Sequence, residues 1–438
     1  MTIPKTPLIF VATSDLAGKL RGKAFPAEQL NKRLQRGVGW TPTNVQINCF
    51  DEIAESPFGA LGDLLLIPDA RAEAKAEFGE DLGLHFIMGN IVTLEGEPWD
   101  FCTRGLLSAA LNRLHSVAGA HLVAAFEHEF QLKGAPQPVG QAYGHGGFSQ
   151  QRDFCETLVD VIAQIGLKPD SIMKEYGPNQ YEVVIGPEQG VRAADAAIMV
   201  RELTYATARA YGEQATYTPI RDVASVGNGV HIHMSFVDDE GTPLTYDANG
   251  SCSMSALTAS FAAGVLKYLD AILALTAPSV ISYERLTPHR WSAAFNNLGF
   301  RDREASLRIC PVTAKDPTSI ARQFNIEYRA ADAAASPHLA LAAVVFAGAQ
   351  GIEEGLAAPT PTEDDLSLLD ASELAKRDIV RLPQTLEEAL DRFVSNPVVT
   401  GLFPDGFAQV YRAHKQSEIK KTAELDTDAR CRLYEDTY

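Results

Sequence analysis

The chain has 438 residues, of which 46% are hydrophobic and 21% charged, and its 38 Lys and Arg against 56 Asp and Glu leave a formal net charge of −18. At about 100–200 residues per domain that length excludes a lone small binding module, and the composition excludes pervasive disorder. The negative balance disfavours nucleic acid and anionic lipid surfaces as partners.

The N-terminus carries an apolar run of five or six residues ahead of Thr13-Ser14-Asp15, too short for a secretory segment. Six scattered cysteines (Cys49, Cys102, Cys155, Cys252, Cys310, Cys431) form no C-x-x-C pair. Reduced thiols and a cytoplasmic location are therefore expected. The longest apolar stretch, Leu339 to Ala347, falls short of the roughly 20 residues that a spanning helix needs and reads as a buried core helix.

In chain order, residues 7–12, 44–49 and 63–68 have the composition of short strands, and AEQLNKRLQRG (27–37) has helical apolar spacing ended by glycine. Together they predict a small α+β unit over 1–103. From about residue 104 the pattern changes to a helix (108–120) and an apolar strand (122–132). Helices are then expected at 154–166, 192–212, 255–275 and 337–353, and strands at 181–186 and 231–236. The acidic stretch at 358–370 is expected to be a surface loop.

Three of these strands carry ionisable residues at i and i+2: Glu127 and Glu129, His231 and His233, Glu327 and Arg329. In a strand such pairs share a face. One pair alone reads as the solvated side of a half-buried strand; three together suggest a site. Glu175 and Glu182 flank a Gly-Pro-Asn turn that can fold the second carboxylate back beside the first. Buried carboxylates repel one another, so such a cluster requires cations. Oxygen donors with a histidine favour Mg²⁺ or Mn²⁺ over Zn²⁺. Arg285, Arg301, Arg303, Arg308 and Arg329 add guanidinium groups suited to carboxylates and phosphates. Metals with arginines point to phosphoryl transfer from a nucleotide, yet neither a P-loop nor a G-x-G-x-x-G turn occurs.

In order, LGDLLLIPDA, FEHEF, EYGPNQYE, GNGVHIHMS, SYERLTP, RDREASLRI and NIEYR followed by ASPHLALAA resemble the signature segments of the glutamine synthetase family and its γ-glutamyl-amine ligase relatives, over about residues 60–350. The resemblance implies a β-grasp-like N-terminal domain (1–103) and a catalytic domain (104–438) whose antiparallel sheet forms an active-site funnel. It implies Glu129, Glu175 and Glu182 as ligands of one metal, and Glu127, His231 and Glu327 as ligands of another, with two or three Mg²⁺ or Mn²⁺ per site. Gly227, Arg285 and Arg329 would hold L-glutamate, Arg303 and Arg308 would clamp phosphate, and His233 and Ser235 would contact ATP. Stacked rings of identical subunits, a dodecamer, are expected.

One departure bears on the acceptor. Ammonia-using members carry a glutamate six residues after the arginine of S-Y-x-R, and here that position is Trp291. An indole cannot take a proton from an ammonium, so the expected acceptor is a small amine other than ammonia, with Trp291 as a wall of its pocket. The usual F-D-G-S-S string is replaced by NCFDEIAESPFG, leaving Asp51 as a displaced candidate for the ammonium subsite. A glutamine synthetase and a catalytically silent relative are the alternatives.

Overall fold

A computed structural model describes residues 5–79, 83–135 and 139–438. Its first sheet has strands β1 (Leu8–Ser14), β2 (Leu20–Pro26), β3 (Val38–Trp40), β4 (Leu64–Glu77) and β5 (Gly83–Val92) in the order β2-β1-β5-β4-β3. Only the β1–β5 pairing is parallel. Ile9 and Val11 of β1 pack with Phe25, Trp40, Leu66 and Ile87, so one face of the sheet closes a small core. The helix Leu30–Arg36 follows a 3₁₀ turn at Ala27–Gln29 and stops at Gly37, whose φ of 59° suits glycine.

The strand expected at 44–49 does not form. Pro42 opens a 3₁₀ helix, Pro42–Gln46, and the Asn48 side chain accepts hydrogen bonds from the Phe50 and Glu52 amides at 2.9 and 3.0 Å. That local bonding competes with any ladder. Strands β2, β3 and β5 were not expected, and β4 runs to Glu77, well beyond residue 68.

The second sheet has nine strands: β6 (His121–Lys133), β7 (Pro169–Lys174), β8 (Gln180–Ile185), β9 (Glu188–Gln189), β10 (Gln214–Thr216), β11 (Val230–Val237), β12 (Leu298–Phe300), β13 (Leu307–Ile309) and β14 (Ile326–Ala331). The order is β12-β13-β14-β11-β6-β8-β7, with β9 and β10 also pairing β6, and only β12–β13 is parallel. Helices Thr103–Ala118, Val191–Ala210, Ala256–Lys267 and Pro337–Glu353 share one large core with the apolar residues of this sheet. Helices Ala256–Lys267 and Pro337–Glu353 cross at Gly264 and Gly351, where a Cβ on Gly351 would lie 2.4 Å from the Gly264 Cα. Only glycine permits that approach.

The helix expected over 255–275 is two helices, Ala256–Lys267 and Leu269–Thr276, bent by 78° at Tyr268. The first packs on Pro337–Glu353 and the second on Leu386–Ser395. Both halves are apolar all round, so periodicity carries no sign of the turn. No single helix among the described residues is long and apolar enough to cross a membrane. Leu339 to Ala347 is a core helix segment with every residue buried. The 358–370 stretch is mostly irregular, but Leu366 inserts beside Phe295 and Ile379.

Arg104 joins the first sheet to the helices of the second unit: its guanidinium bonds Asp69 at 3.0 Å, Asn90 at 2.9 Å and Asp195 at 2.9 Å, and His338 meets Asp195 at 2.9 Å. A buried cation between two carboxylates fixes the relative placement of strand β4 and the helix Val191–Ala210.

Candidate active site

Alternation along β6 sends Glu127 and Glu129 to one face of the second sheet and His128, 2% exposed, into the core on the other. Register then extends the row. Glu182 on β8 stands opposite Glu129, His231 on β11 opposite Glu127, Glu327 on β14 opposite His233, and Arg308 on β13 opposite Glu327. Phe126, Ile232 and Tyr328 form the corresponding row on the core face. A bulge in β14 between the Tyr328 and Ala331 pairings redirects the strand at Arg329. The Arg329 amide bonds the Ser306 carbonyl at 2.9 Å.

The row lines a cavity of about 570 Å³ that contains twelve of the fourteen residues expected at the site: Glu127, Glu129, Glu175, Glu182, Gly227, His231, Arg285, Trp291, Arg303, Arg308, Glu327 and Arg329. Glu175 arrives as expected through the turn at 176–179, where its amide bonds the Gln180 carbonyl at 2.8 Å. Lys174 ties that turn by donating to the Glu175 and Gly177 carbonyls, each at 2.6 Å.

Two expected residues are not among those lining the cavity. His233 is in the row but beyond the cavity lining, with Nε2 3.1 Å from Glu127 and Nδ1 2.8 Å from Asn325 Oδ1; Ser235 is two residues farther along the same strand. Asp51 is apart from the site as well. It is exposed, accepts from Arg21 at 3.1 Å and borders a separate pocket with Lys19 and Phe50.

Charge in the cavity is unbalanced on one side and paired on the other. Burial, then repulsion from Glu127, Glu129, Glu175 and Glu327, pushes the Glu182 carboxyl up to about 9. Burial and the Glu175 charge push Glu129 up to about 7, against the bond from the Gly229 amide. Burial would raise Glu327 too, but Arg329, His231, His233 and Arg308 hold it below the ordinary range; the Arg308 Nε is 2.7 Å away and Arg329 is in direct contact. Burial and the Arg329 charge hold His231 down near 4, leaving a neutral imidazole able to donate a lone pair.

Donor atoms of Glu127, Glu182 and His231 lie within 4.8 Å of one another, as do those of His233, Cys310 and Glu327. The first group is two oxygens and one nitrogen, beside Glu129 and Glu175. Such a set fits a hard divalent cation, which would relieve the repulsion that raises Glu182 and Glu129. This grouping sets Glu182 beside Glu127 and His231, whereas the sequence reading divided them between two metals.

Backbone shape matters at Gly227, where a Cβ would sit 2.4 Å from the Pro219 carbonyl and 2.6 Å from Arg285. Sequence reasoning did not assign Gln180, whose amide nitrogen bonds the Gly227 carbonyl and Asn228 Oδ1 at 2.9 Å, with Glu129 at 3.3 Å. Its place between two site segments in the sequence was the available signal. It also missed Tyr143, Tyr176, Arg290 and Ser292 in the cavity wall. Tyr176 directly follows Glu175, but Tyr143 stands in an aperiodic stretch that offers no pattern.

Trp291 lies at the mouth, 49% exposed, edge-on to the Tyr176 ring at 5.1 Å and 81°. Its φ of 53° is in the left-handed region, which costs about 1–2 kcal/mol for a residue with a side chain. Flanking contacts hold it there: the Trp291 amide donates to Glu304 at 3.3 Å, the His289 amide donates to Glu304 at 3.1 Å, and the Trp291 carbonyl accepts from Arg329 at 3.2 Å.

A pocket of carboxylates flanked by guanidinium groups on an antiparallel sheet is the apparatus of phosphoryl and acyl transfer rather than of redox or nucleic-acid chemistry. The family model for the glutamine synthetase catalytic domain matches residues 100–434, and that for the glutamine synthetase N-terminal domain matches residues 3–99. The chain belongs to the glutamine synthetase family and is an ATP-dependent carbon–nitrogen ligase. It is 32% identical to a gamma-glutamylpolyamine synthetase of Streptomyces coelicolor, over 97% of this chain and 92% of that protein. It is 27% identical to a glutamate–isopropylamine ligase of a Pseudomonas species, over 93% of this chain and 90% of that protein. A solved glutamine synthase homologue superimposes with a TM-score of 0.91 at 39% identity, covering both chains completely.

Proposed function

We propose that this enzyme joins the γ-carboxylate of L-glutamate to an organic amine other than ammonia. The observation that carries this reading is the aromatic pair at the cavity mouth: Trp291 against Tyr176, with Tyr143 also in the wall, where a proton-accepting carboxylate would serve ammonia. Aromatic faces hold an alkylammonium by cation–π attraction or stack on an arylamine. Two relatives, one named a gamma-glutamylpolyamine synthetase and the other a glutamate–isopropylamine ligase, support the same class of acceptor.

In the proposed reaction a γ-carboxylate oxygen of glutamate attacks the γ-phosphorus of ATP and ADP leaves. An alkylammonium first gives up one proton to solvent; the free amine nitrogen then attacks the carbonyl carbon of the γ-glutamyl phosphate, loses a further proton and expels inorganic phosphate. Arg285 and Arg329, with the backbone at Gly227, hold glutamate, while Arg303 and Arg308 stabilise the transferred phosphoryl group. His233 and Ser235 take part in nucleotide contact. Glu127, Glu129, Glu175, Glu182, His231 and Glu327 would hold two or three Mg²⁺ or Mn²⁺. When bound, these ions neutralise the charge of the nucleotide phosphates.

The reading includes a division into an N-terminal domain over 1–103 and a catalytic domain over 104–438, in line with the separate sheets and the two family matches. It also includes a homo-oligomer of stacked rings, a dodecamer, and a cytoplasmic location, for which the dispersed and mostly buried thiols speak.

The test is phosphate release from ATP, Mg²⁺ and glutamate against ammonia, alkylamines, polyamines and arylamines. Turnover with an organic amine and little with ammonia is expected. Turnover with ammonia alone would overturn the assignment and return the chain to glutamine synthesis.

A further inference from the structure

Away from the cavity, three side chains from three separate elements converge on the surface. His115 is in the last turn of the helix Thr103–Ala118, His121 is the first residue of β6, and Asp239 lies in the turn that follows β11. The His121 Nε2 is 2.7 Å and the His115 Nε2 is 3.2 Å from the same oxygen, Asp239 Oδ1. Their ligand atoms all fall within 4.8 Å of one another. The imidazoles stack with centroids 4.7 Å apart and planes 29° apart.

The frame around them is fixed. His121 pairs with Val237 in the sheet, and the Gly119 amide bonds the His115 carbonyl at 2.7 Å. The Asp238 carboxylate accepts from the Glu240 and Thr242 amides at 3.0 and 2.7 Å, which leaves its neighbour Asp239 free to face the histidines.

A cation at this position would take the two Nε2 lone pairs in place of the hydrogen bonds to Asp239 Oδ1. The end of a helix adds negative potential beside His115. Two imidazole nitrogens and one carboxylate oxygen, with the remaining directions open to water, form the donor set of a nitrogen-seeking divalent cation. Bonds of about 2.0–2.1 Å at tetrahedral angles put ligand atoms roughly 3.3 Å apart, so the 2.7 and 3.2 Å separations from Asp239 Oδ1 would open by about 0.6 and 0.1 Å.

We propose that His115, His121 and Asp239 form a surface Zn²⁺ site that clasps the helix Thr103–Ala118 to the start of β6 and the end of β11 and is independent of the glutamate-rich cavity. The plain alternative is an exposed hydrogen-bonded cluster with no ion. The donor chemistry separates the two sites: nitrogen donors here prefer zinc, and the oxygen-rich cavity prefers magnesium or manganese.

The experiment uses chelator-treated full-length protein in saturating Mg²⁺, titrated with Zn²⁺ by calorimetry and with Co²⁺ by its visible absorption. Wild type is expected to take up about one Zn²⁺ more than the double variant His121→Gln, Asp239→Asn, and to gain thermal stability from Zn²⁺ that the variant does not gain. Each single variant should weaken this uptake by at least about tenfold, since loss of a mere supporting partner already costs 10–100-fold. All three positions are on the surface, so the variants should fold, as circular dichroism will show, and retain Mg²⁺-dependent activity. Equal Zn²⁺ uptake by wild type and double variant, or no uptake by wild type, would overturn the site.

Discussion

Replacing Trp291 with alanine separates acceptor recognition from the rest of the reaction. The ring is half exposed and has one aromatic neighbour, so its loss removes an edge contact of about 0.5–1.5 kcal/mol and little burial. The backbone strain at φ 53° remains with alanine, and the flanking bonds to Glu304 and Arg329 use main-chain atoms that the substitution keeps. Stability should therefore fall by no more than about 1.5 kcal/mol. An ammonium over the indole face is worth about 0.5–2 kcal/mol, which corresponds to a rise in the amine KM of roughly 2- to 30-fold. The assay is phosphate release with the amine varied at saturating ATP and glutamate, then with each of these varied in turn. The companion Trp291→Glu supplies a carboxylate beside the acceptor and should move the ratio of ammonia to organic-amine turnover towards ammonia by at least about tenfold, a small part of what a placed base can contribute. An unchanged amine KM in Trp291→Ala together with an unchanged ratio in Trp291→Glu would refute the assignment of this side chain to the acceptor pocket.

Glu327→Gln takes the charge from between Arg308, Arg329 and His231, leaving buried cations without their partner. Stability should drop by about 3–5 kcal/mol by denaturant titration, with phosphate release lost. Near-normal turnover would remove Glu327 from the site. Arg329→Lys keeps a charge near Glu327 but gives up the donors to the Arg303 and Trp291 carbonyls at 3.1 and 3.2 Å. The glutamate KM should rise at least about tenfold with the ATP KM little changed, and equal effects on both would place this arginine elsewhere. Metal-free protein should lose thermal stability as pH rises from about 5 to 9. Glu182, raised from 4.5 to about 9, contributes stability that is complete below the unfolded value and lost as pH passes the folded one, and His233, raised above 6.5, acts in the same direction. Glu327 and Glu127, which are lowered, have completed their contribution before that range. Added Mn²⁺ should reverse the fall, more at the upper end; a flat midpoint in chelator would show that Glu182 is not carrying a raised proton affinity.

The parts of the site that could be read from sequence were those written in short-range periodicity. Glu127 and Glu129, His231 and His233, and Glu327 and Arg329 announced themselves because residues two apart in a strand must share a face, and charge on a face of apolar strands needs a reason. The Gly-Pro-Asn turn between Glu175 and Glu182 was legible on the same terms. Strand 44–49 misled because Pro42 and the Asn48 side chain bond locally, which an alternation count does not register. The break at Tyr268 was invisible because both halves of the helix are apolar on every side.

What the sequence alone determined is the chemistry available: carboxylates, imidazoles and guanidiniums in an order that resembles one family, an indole at the position where, on that resemblance, ammonia users carry a glutamate, and a net negative charge. What only the tertiary structure decided is which of these groups meet. Pairing of β8 with β6, β6 with β11 and β11 with β14 sets Glu182 against Glu129, Glu127 against His231 and His233 against Glu327, over separations of 53 to 104 residues. A slip of one residue in any pairing would send the slipped strand's site residues to the core face, and that register is chosen by the apolar residues packing on the far side. The same packing brought Tyr176 to Trp291 and His115 to Asp239, contacts between side chains too far apart in the chain for any local pattern to join them.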